Sequence, residues 1–415
     1  MRYLRPHDLL NRSPWLVGLA LVAVIAARGA GRVPFWSWDV LPYVAISLEG
    51  RAASPGDLHA RTYSAVRADV PQRTYKDFTE GAAFRRDVAR DADAFTGTLG
   101  MYRQRVGYAL AIRAAGLAGA APAEAVVWVS RVAWVLLATA LYAAAARRTG
   151  PLRAAAIAAL VVHAPPFVAG STQTTPDLAA AALFAAGLSA WPAARAGGVA
   201  GLLMAVLFRP ELALPAAGFV ACAASATPRV AAGAAAVLLG ACAAATLGSG
   251  HPGWWRLVWI SFVDLRSDLQ AGPFTWTAYW QIVARSATTI DASWALPSAA
   301  LALTLRGAQA RAAAALLLGF VARFALFPAL WDRLLLPVYA SLAVLALGAV
   351  REERTEAPKP QIAGSPPAPP QHPTQTAEPA APGSRADRRE HCPPDVDGGT
   401  AAGTPSARPS PLPAP

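Results

Sequence analysis

Hydrophobic and polar positions along this chain come in blocks rather than in fine alternation. Apolar runs predict helices at about 14–31, 123–146, 154–169, 178–194, 231–247, 294–305, 312–327 and 334–350. A bilayer takes about 20 helical residues per crossing, so runs of this kind read as membrane spans. The apolar stretch 198–225 is interrupted by Arg209-Pro210-Glu211 and reads as a hairpin of two short helices, because proline removes a backbone donor and two charges stand where lipid would be. The expected fold class is all-α: a polytopic transmembrane helical protein of about ten spans.

The polar blocks give the chain its organisation. Residues 32–98 are too polar for a span and too long for a connector. Within them Tyr63 with Val66, Tyr75 with Phe78, and Phe84 with Val88 keep three- and four-residue spacings, which predicts short interfacial helices. The segment Tyr102 to Ala118 carries Arg103, Arg105 and Arg113 and reads as one more interfacial helix. Outer loops are thus expected over about 32–122 and 249–291. The second holds Trp254, Trp255, Trp259, Trp276 and Trp280 with Tyr279. It is either an aromatic belt at headgroup level or a lipid or sugar platform, the belt being the simpler reading. After the membrane domain, 1–351, the composition changes: 16 of the 36 prolines and no aromatic residue fall in 352–415. That is expected to be a disordered cytoplasmic tail.

Charge orients the helices. Arg2, Arg5 and Arg12 precede the first span, and with ten spans Arg147/Arg148/Arg153, Arg195, Arg229, Arg306/Arg311 and Arg351/Arg354 fall on the same side as the N-terminus. Reading 198–225 as one span would turn Arg229 and everything after it outward, so the positive-inside rule selects the broken hairpin and places both termini in the cytoplasm of a plasma (bacterial inner) membrane. The net charge of +12 is almost entirely arginine scattered between apolar runs, with Lys76 and Lys359 the sole lysines. It follows topology rather than a phosphate-binding stripe, and no nucleic-acid partner is expected. Hydrophobic residues make up 55% and charged ones 15%, which excludes an ordinary soluble enzyme. Three cysteines without CxxC spacing offer neither a disulfide framework nor a metal site.

Ionisable residues near lipid need a reason. Asp39, in Trp36-Ser37-Trp38-Asp39-Val40, follows the first span on the outer side. It either caps the helix from Val40 or acts as an acid on an outer rim, as a base toward a hydroxyl or a holder of a divalent cation. Glu49 and Asp57, further along the same loop, are either partners in an acidic site or solvated, solvation being the simpler reading. Asp177, just after a proline at the start of a span, reads as a helix-dipole residue. Arg209 and Glu211 either neutralise each other or turn Arg209 toward a phosphate. Arg323 and Arg333 lie near the outer ends of the last two spans, with Asp332 adjacent to Arg333. A guanidinium suits a phosphate because its planar fork binds it in a bidentate way. His163 and His251 have no metal-ligand spacing and read as turn or interface residues.

Five stretches in order, covering residues 1–350, resemble the GT-C superfamily of integral membrane glycosyltransferases: the Asp39 loop, Tyr102-Arg103-Gln104-Arg105-Val106-Gly107-Tyr108, Thr175-Pro176-Asp177, Leu207-Phe208-Arg209-Pro210-Glu211, and Arg333-Leu334-Leu335-Leu336-Pro337-Val338-Tyr339. The resemblance implies an enzyme moving a sugar from a polyprenyl-phosphate donor to an acceptor on the outer face of the membrane. It implies Asp39 as the catalytic acid and a substrate-binding set of Tyr102, Arg105, Arg209, Glu211 and Arg333. No metal or cofactor is demanded, although Asp39 is compatible with a divalent cation. The sugar and acceptor are left open. A transporter or flippase, with ionisable groups along a mid-membrane path, and a catalytically silent membrane protein are the alternatives.

Overall fold

The computed structural model describes residues 13–224, 227–263, 270–288, 292–328 and 332–348; the 352–415 tail, Trp331 and the side chain of Asp332 lie outside these. The described chain is all-helical, and one isolated bridge joins Phe35 to Gln173. Helix α1 (Pro14–Ala30) opens on a proline, whose fixed φ suits the first turn. It buries the stripe Val17, Leu21 and Ile25 and exposes Trp15, Leu19 and Val24.

A buried apolar helix, α2 (Val40–Leu48), is followed by a polar layer of short helices: α3 (Pro55–Asp69), α4 (Gln72–Glu80), α5 (Ala83–Arg90), α6 (Ala92–Thr98) and α7 (Gly100–Arg103). Their apolar residues recur at helical spacing, so Tyr63, Val66, Phe78, Phe84 and Val88 are buried as expected. The expected helix over 102–118 is divided: α7 ends at Arg103, Gln104 and Arg105 intervene, and α8 runs Val106–Leu117. Arg113 in the middle of α8 donates from Nη2 to the Ile46 carbonyl at 2.7 Å, satisfying the C-terminal end of α2.

The long central helix α9 (Pro122–Thr149) starts from the polar layer, where the Asp69 carboxylate accepts from the Ala123 amide at 3.1 Å. The expected unbroken span at 154–169 is instead α10 (Pro151–Val162) and α11 (Pro165–Thr172), bent by 69°. Pro165-Pro166 cannot supply the amides that would continue the ladder. His163 lies in the break, its Nδ1 2.8 Å from the Ala159 carbonyl, as expected of a turn residue. Next come α12 (Asp177–Ala190) and α13 (Arg195–Phe208), which pack so closely that a Cβ on Gly201 would lie 2.6 Å from the Gly187 Cα. Small residues let membrane helices approach in this way.

Arg209 is extended, and after it a 3-10 turn, Pro210–Leu212, leads into α14 (Ala213–Ala223), giving the expected broken hairpin. The remaining helices are α15 (Pro228–Leu247), α16 (Trp254–Phe262), α17 (Trp276–Ala287), α18 (Ala292–Thr304), α19 (Gly307–Leu326) and α20 (Asp332–Ala346). The aromatic helices α16 and α17 are tied to the end of α19. The Tyr279 hydroxyl donates to the Ala325 carbonyl at 2.6 Å, and the Trp254 indole N–H donates to the Leu326 carbonyl.

Among the described residues three helices, α9, α15 and α19, are long and apolar enough to cross a membrane, and the bent α10–α11 pair makes a fourth candidate. The other apolar helices have 10–17 residues. Helix α15 buries only Ala231 and Leu238 and exposes Val230, Val237 and Leu239, so its apolar surface calls for a lipid environment.

Candidate functional site

The backbone first brings the pieces together. The Phe35 amide donates to the Thr172 carbonyl at 2.9 Å, and the Ser37 amide and hydroxyl meet Thr174 Oγ1 at 3.2 and 2.9 Å. These bonds pin the loop after α1 against the segment that leads into α12, which brings the Asp39 loop to the end of α12 where Asp177 lies. Gly107 then lets α8 close on α13: a Cβ there would stand 2.6 Å from the Phe208 ring, next to Arg209.

Asp39 occupies the N-cap position of α2, yet its carboxylate makes no capping bond. It accepts instead from the Tyr102 hydroxyl at 2.9 Å on Oδ1 and from Arg333 Nη1 at 3.1 Å on Oδ2. Residues 63 and 294 positions away thus take the place of the local amides. Burial raises the Asp39 pKa, but Arg333, Arg105 and the Tyr102 hydroxyl together outweigh it and hold the carboxyl below its ordinary value. Asp39 is therefore ionised at neutral pH. Burial drives the Tyr102 phenol well above its usual range, with Asp39 adding to the effect, so it stays a proton donor.

Arg105 stands beside this pair. It donates to the Tyr43 hydroxyl and lies against the Tyr43 and Tyr102 rings, with Cζ 5.7 and 5.4 Å from their centroids. Burial alone would discourage its charge, but Tyr43, Glu211, Tyr102 and Asp39 favour it, and the net shift is upward. Its Nε is buried without a hydrogen-bond partner. Burial also pushes the Tyr43 phenol up to about 12.

Beneath lies a second group. Arg209, 6% exposed, forms an ion pair with Asp177 and donates from Nε to Glu211 Oε1 at 2.8 Å. Arg323, also buried, has Nη2 3.9 Å from Glu211 Oε1. Asp177 is thereby corrected from a helix-dipole residue to a buried ion-pair partner: its 2% exposure leaves it no water, and Arg209 supplies the charge. The expected Arg209–Glu211 pair exists but is part of a four-residue network. Glu49, expected to be solvated, pairs with Arg103 at 2.7 Å, whereas Asp57 bonds locally with Arg61 at 2.7 Å.

All six residues singled out from sequence thus fall in one neighbourhood, Asp39, Tyr102 and Arg333 in direct contact, Arg105 beside them, Arg209 and Glu211 below. Among the described residues, four guanidinium groups, Arg105, Arg209, Arg323 and Arg333, stand with three carboxylates, Asp39, Asp177 and Glu211. Sequence reading did not assign Tyr43 a role or place Asp177 with Arg209. The available signal was an apolar helix beginning on an acid with no nearby cation in sequence.

Next to the site, α8, α9 and α12 enclose an open groove of about 720 Å³, lined by Ala111, Ala115, Val132, Leu136, Leu183 and Phe208 among others. Phe208 links the groove to the charged network at Arg209. Among the described residues no three His, Cys, Asp or Glu side chains are grouped to hold a metal ion. No protein-family model matches the chain, and neither a curated protein nor a solved structure matches it.

Proposed function

We propose that the protein is an integral membrane glycosyltransferase of the kind its GT-C resemblance implies, moving a sugar from a polyprenyl phosphate to an acceptor on the outer face of a bacterial inner membrane. The proposed topology is the ten-span one, with both termini cytoplasmic and α2–α8 outside. The observation that carries the reading is the Asp39 carboxylate held between the Tyr102 hydroxyl and the Arg333 guanidinium, with Arg105 beside it. A phosphate needs fixed cations as the bond to it breaks, and the apolar groove beside Phe208 suits a lipid-linked donor.

In the proposed step the donor phosphate takes the guanidinium of Arg333 and the unpartnered Nε of Arg105. Asp39 then loses its strongest acidifying neighbour, and burial makes it more basic. It accepts the proton of an acceptor hydroxyl as that oxygen bonds to the anomeric carbon and the carbon–phosphate oxygen bond breaks, the electron pair leaving with the phosphate. Arg209, locked by Asp177 and Glu211, serves as the cationic floor. Its full pairing favours a second reading, a catalytically silent membrane protein whose charges merely neutralise each other.

Purified protein incubated with radiolabelled polyprenyl-phosphate sugars and acceptor lipids decides between them. Wild type is expected to transfer label, and Asp39→Asn to lose about 10²–10⁴-fold, the usual worth of a general base. Equal transfer by both removes Asp39 from the chemistry, and transfer by neither leaves the silent reading.

A further inference from the structure

We infer that α16 and α17 form an interfacial anchor, an aromatic face that dips into the phospholipid leaflet at the C-terminal end of α19. On α17 the buried residues Tyr279, Ile282 and Ser286 recur at three- and four-residue spacing, which leaves Trp276 and Trp280, four positions apart, 66% and 60% exposed. Phe274 carries this face across to α16, its ring centroid 5.2 Å from Trp276, 4.9 Å from Trp255 and 5.8 Å from Trp254. The rings brace one another, so the face is already formed and ordering it on contact costs little side-chain entropy.

Depth and polarity select lipid as what covers it. The Tyr279 hydroxyl and the Trp254 indole N–H donate to the carbonyls of Ala325 and Leu326, in the last turn of α19. That helix has 20 residues and is apolar enough to cross a bilayer, with Leu318, Val321 and Leu326 exposed along it. Its length of about 30 Å matches the hydrocarbon core. The aromatic face is thereby tied to the level at which a span leaves the hydrocarbon, where tryptophan collects. The Trp255 N–H donates to the Gly272 carbonyl at 2.8 Å, so Trp254, Trp255 and Tyr279 all turn their polar atoms inward and none aims one at a stacked sugar. Helices α16 and α17 contain no acid, and their charges are the exposed Arg256 and Arg285. Aromatic hydrocarbon with a cationic fringe fits acyl chains beneath phosphate headgroups. The inference needs α19 to lie in a bilayer and does not rest on glycosyl transfer.

The test uses the full chain reconstituted in phosphatidylcholine vesicles whose acyl chains carry bromine near the glycerol end. Subtracting the emission of Trp276→Phe/Trp280→Phe from that of wild type isolates two indoles and keeps an aromatic ring at each position. Bromolipid is expected to lower this difference emission about twofold or more, and aqueous iodide to leave it nearly unchanged. Quenching by iodide alone overturns the anchor, and so does protection from iodide that appears only when a soluble oligosaccharide is added, the result a sugar platform would give. A second measurement needs no variant. A phospholipid with a photoactivatable carbene source near the glycerol end should label peptides within 272–285 of the wild type as well as within 228–247, on α15. Labelling of 228–247 without 272–285 overturns the anchor. Neither readout depends on transfer activity, so failure of the anchor and failure of the proposed enzyme are separate results.

Discussion

The unusual residue is Asp39, an acid at a helix start that declines to cap it. Its partners Tyr102 and Arg333 make its protonation state dependent on the rest of the site. Because its folded pKa lies below the ordinary 3.8, its interactions stabilise the fold above that value, and the contribution is lost as pH falls through the folded pKa. The stability gap between wild type and Asp39→Asn, read from melts at a series of pH values, should be constant near neutrality and close below about pH 4. Arg333→Ala removes the strongest lowering influence while burial stays, so the acid limb of the proposed transfer should move to higher pH; an unmoved limb would separate Arg333 from Asp39. Asp177→Asn tests the buried network. Leaving Arg209 with one carboxylate instead of two should cost about 3 kcal/mol, seen as a lower unfolding midpoint. Asp39 and Arg333 were legible as residues out of place, but that they bond to each other was not, since 294 positions separate them.

Helices α12 and α13 meet through Gly187 and Gly201, where backbone touches backbone. Gly201→Leu should push them apart and destabilise the protein by about 1–3 kcal/mol, measured as a fall in the unfolding midpoint, with loss of the proposed transfer because α13 carries Phe208 and Arg209 to the site. Most helices were readable from sequence, because apolar runs bounded by proline and arginine mark their own ends: α1, the α13–α14 hairpin and α15 fall where those signals stand. The division of 102–118 and the 69° bend between α10 and α11 were not. A proline tells where a helix stops, but the direction of the next one depends on what it packs against.

For the molecule as a whole, the proposed ten crossings would require several helices of 10–17 residues to combine with their neighbours across the bilayer. Reporter fusions after Arg148, after Ser249 and after Glu353 should report cytoplasm, outside and cytoplasm; an internal Ser249 breaks this topology and reverses every outer assignment after it. What the sequence determined by itself was composition-driven: an all-helical chain for an apolar solvent, a polar layer of short amphipathic helices, and a handful of charges too costly near lipid to be idle. Periodicity and transfer free energy are local quantities, and local windows suffice to read them. Tertiary structure alone decided which charge answers which. Asp177 found Arg209 rather than its own helix amides, Tyr43 became a partner of Arg105, and Arg131 reached the backbone carbonyl of Arg32, because ion pairs and hydrogen bonds act across a few ångströms of space and take no account of distance along the chain.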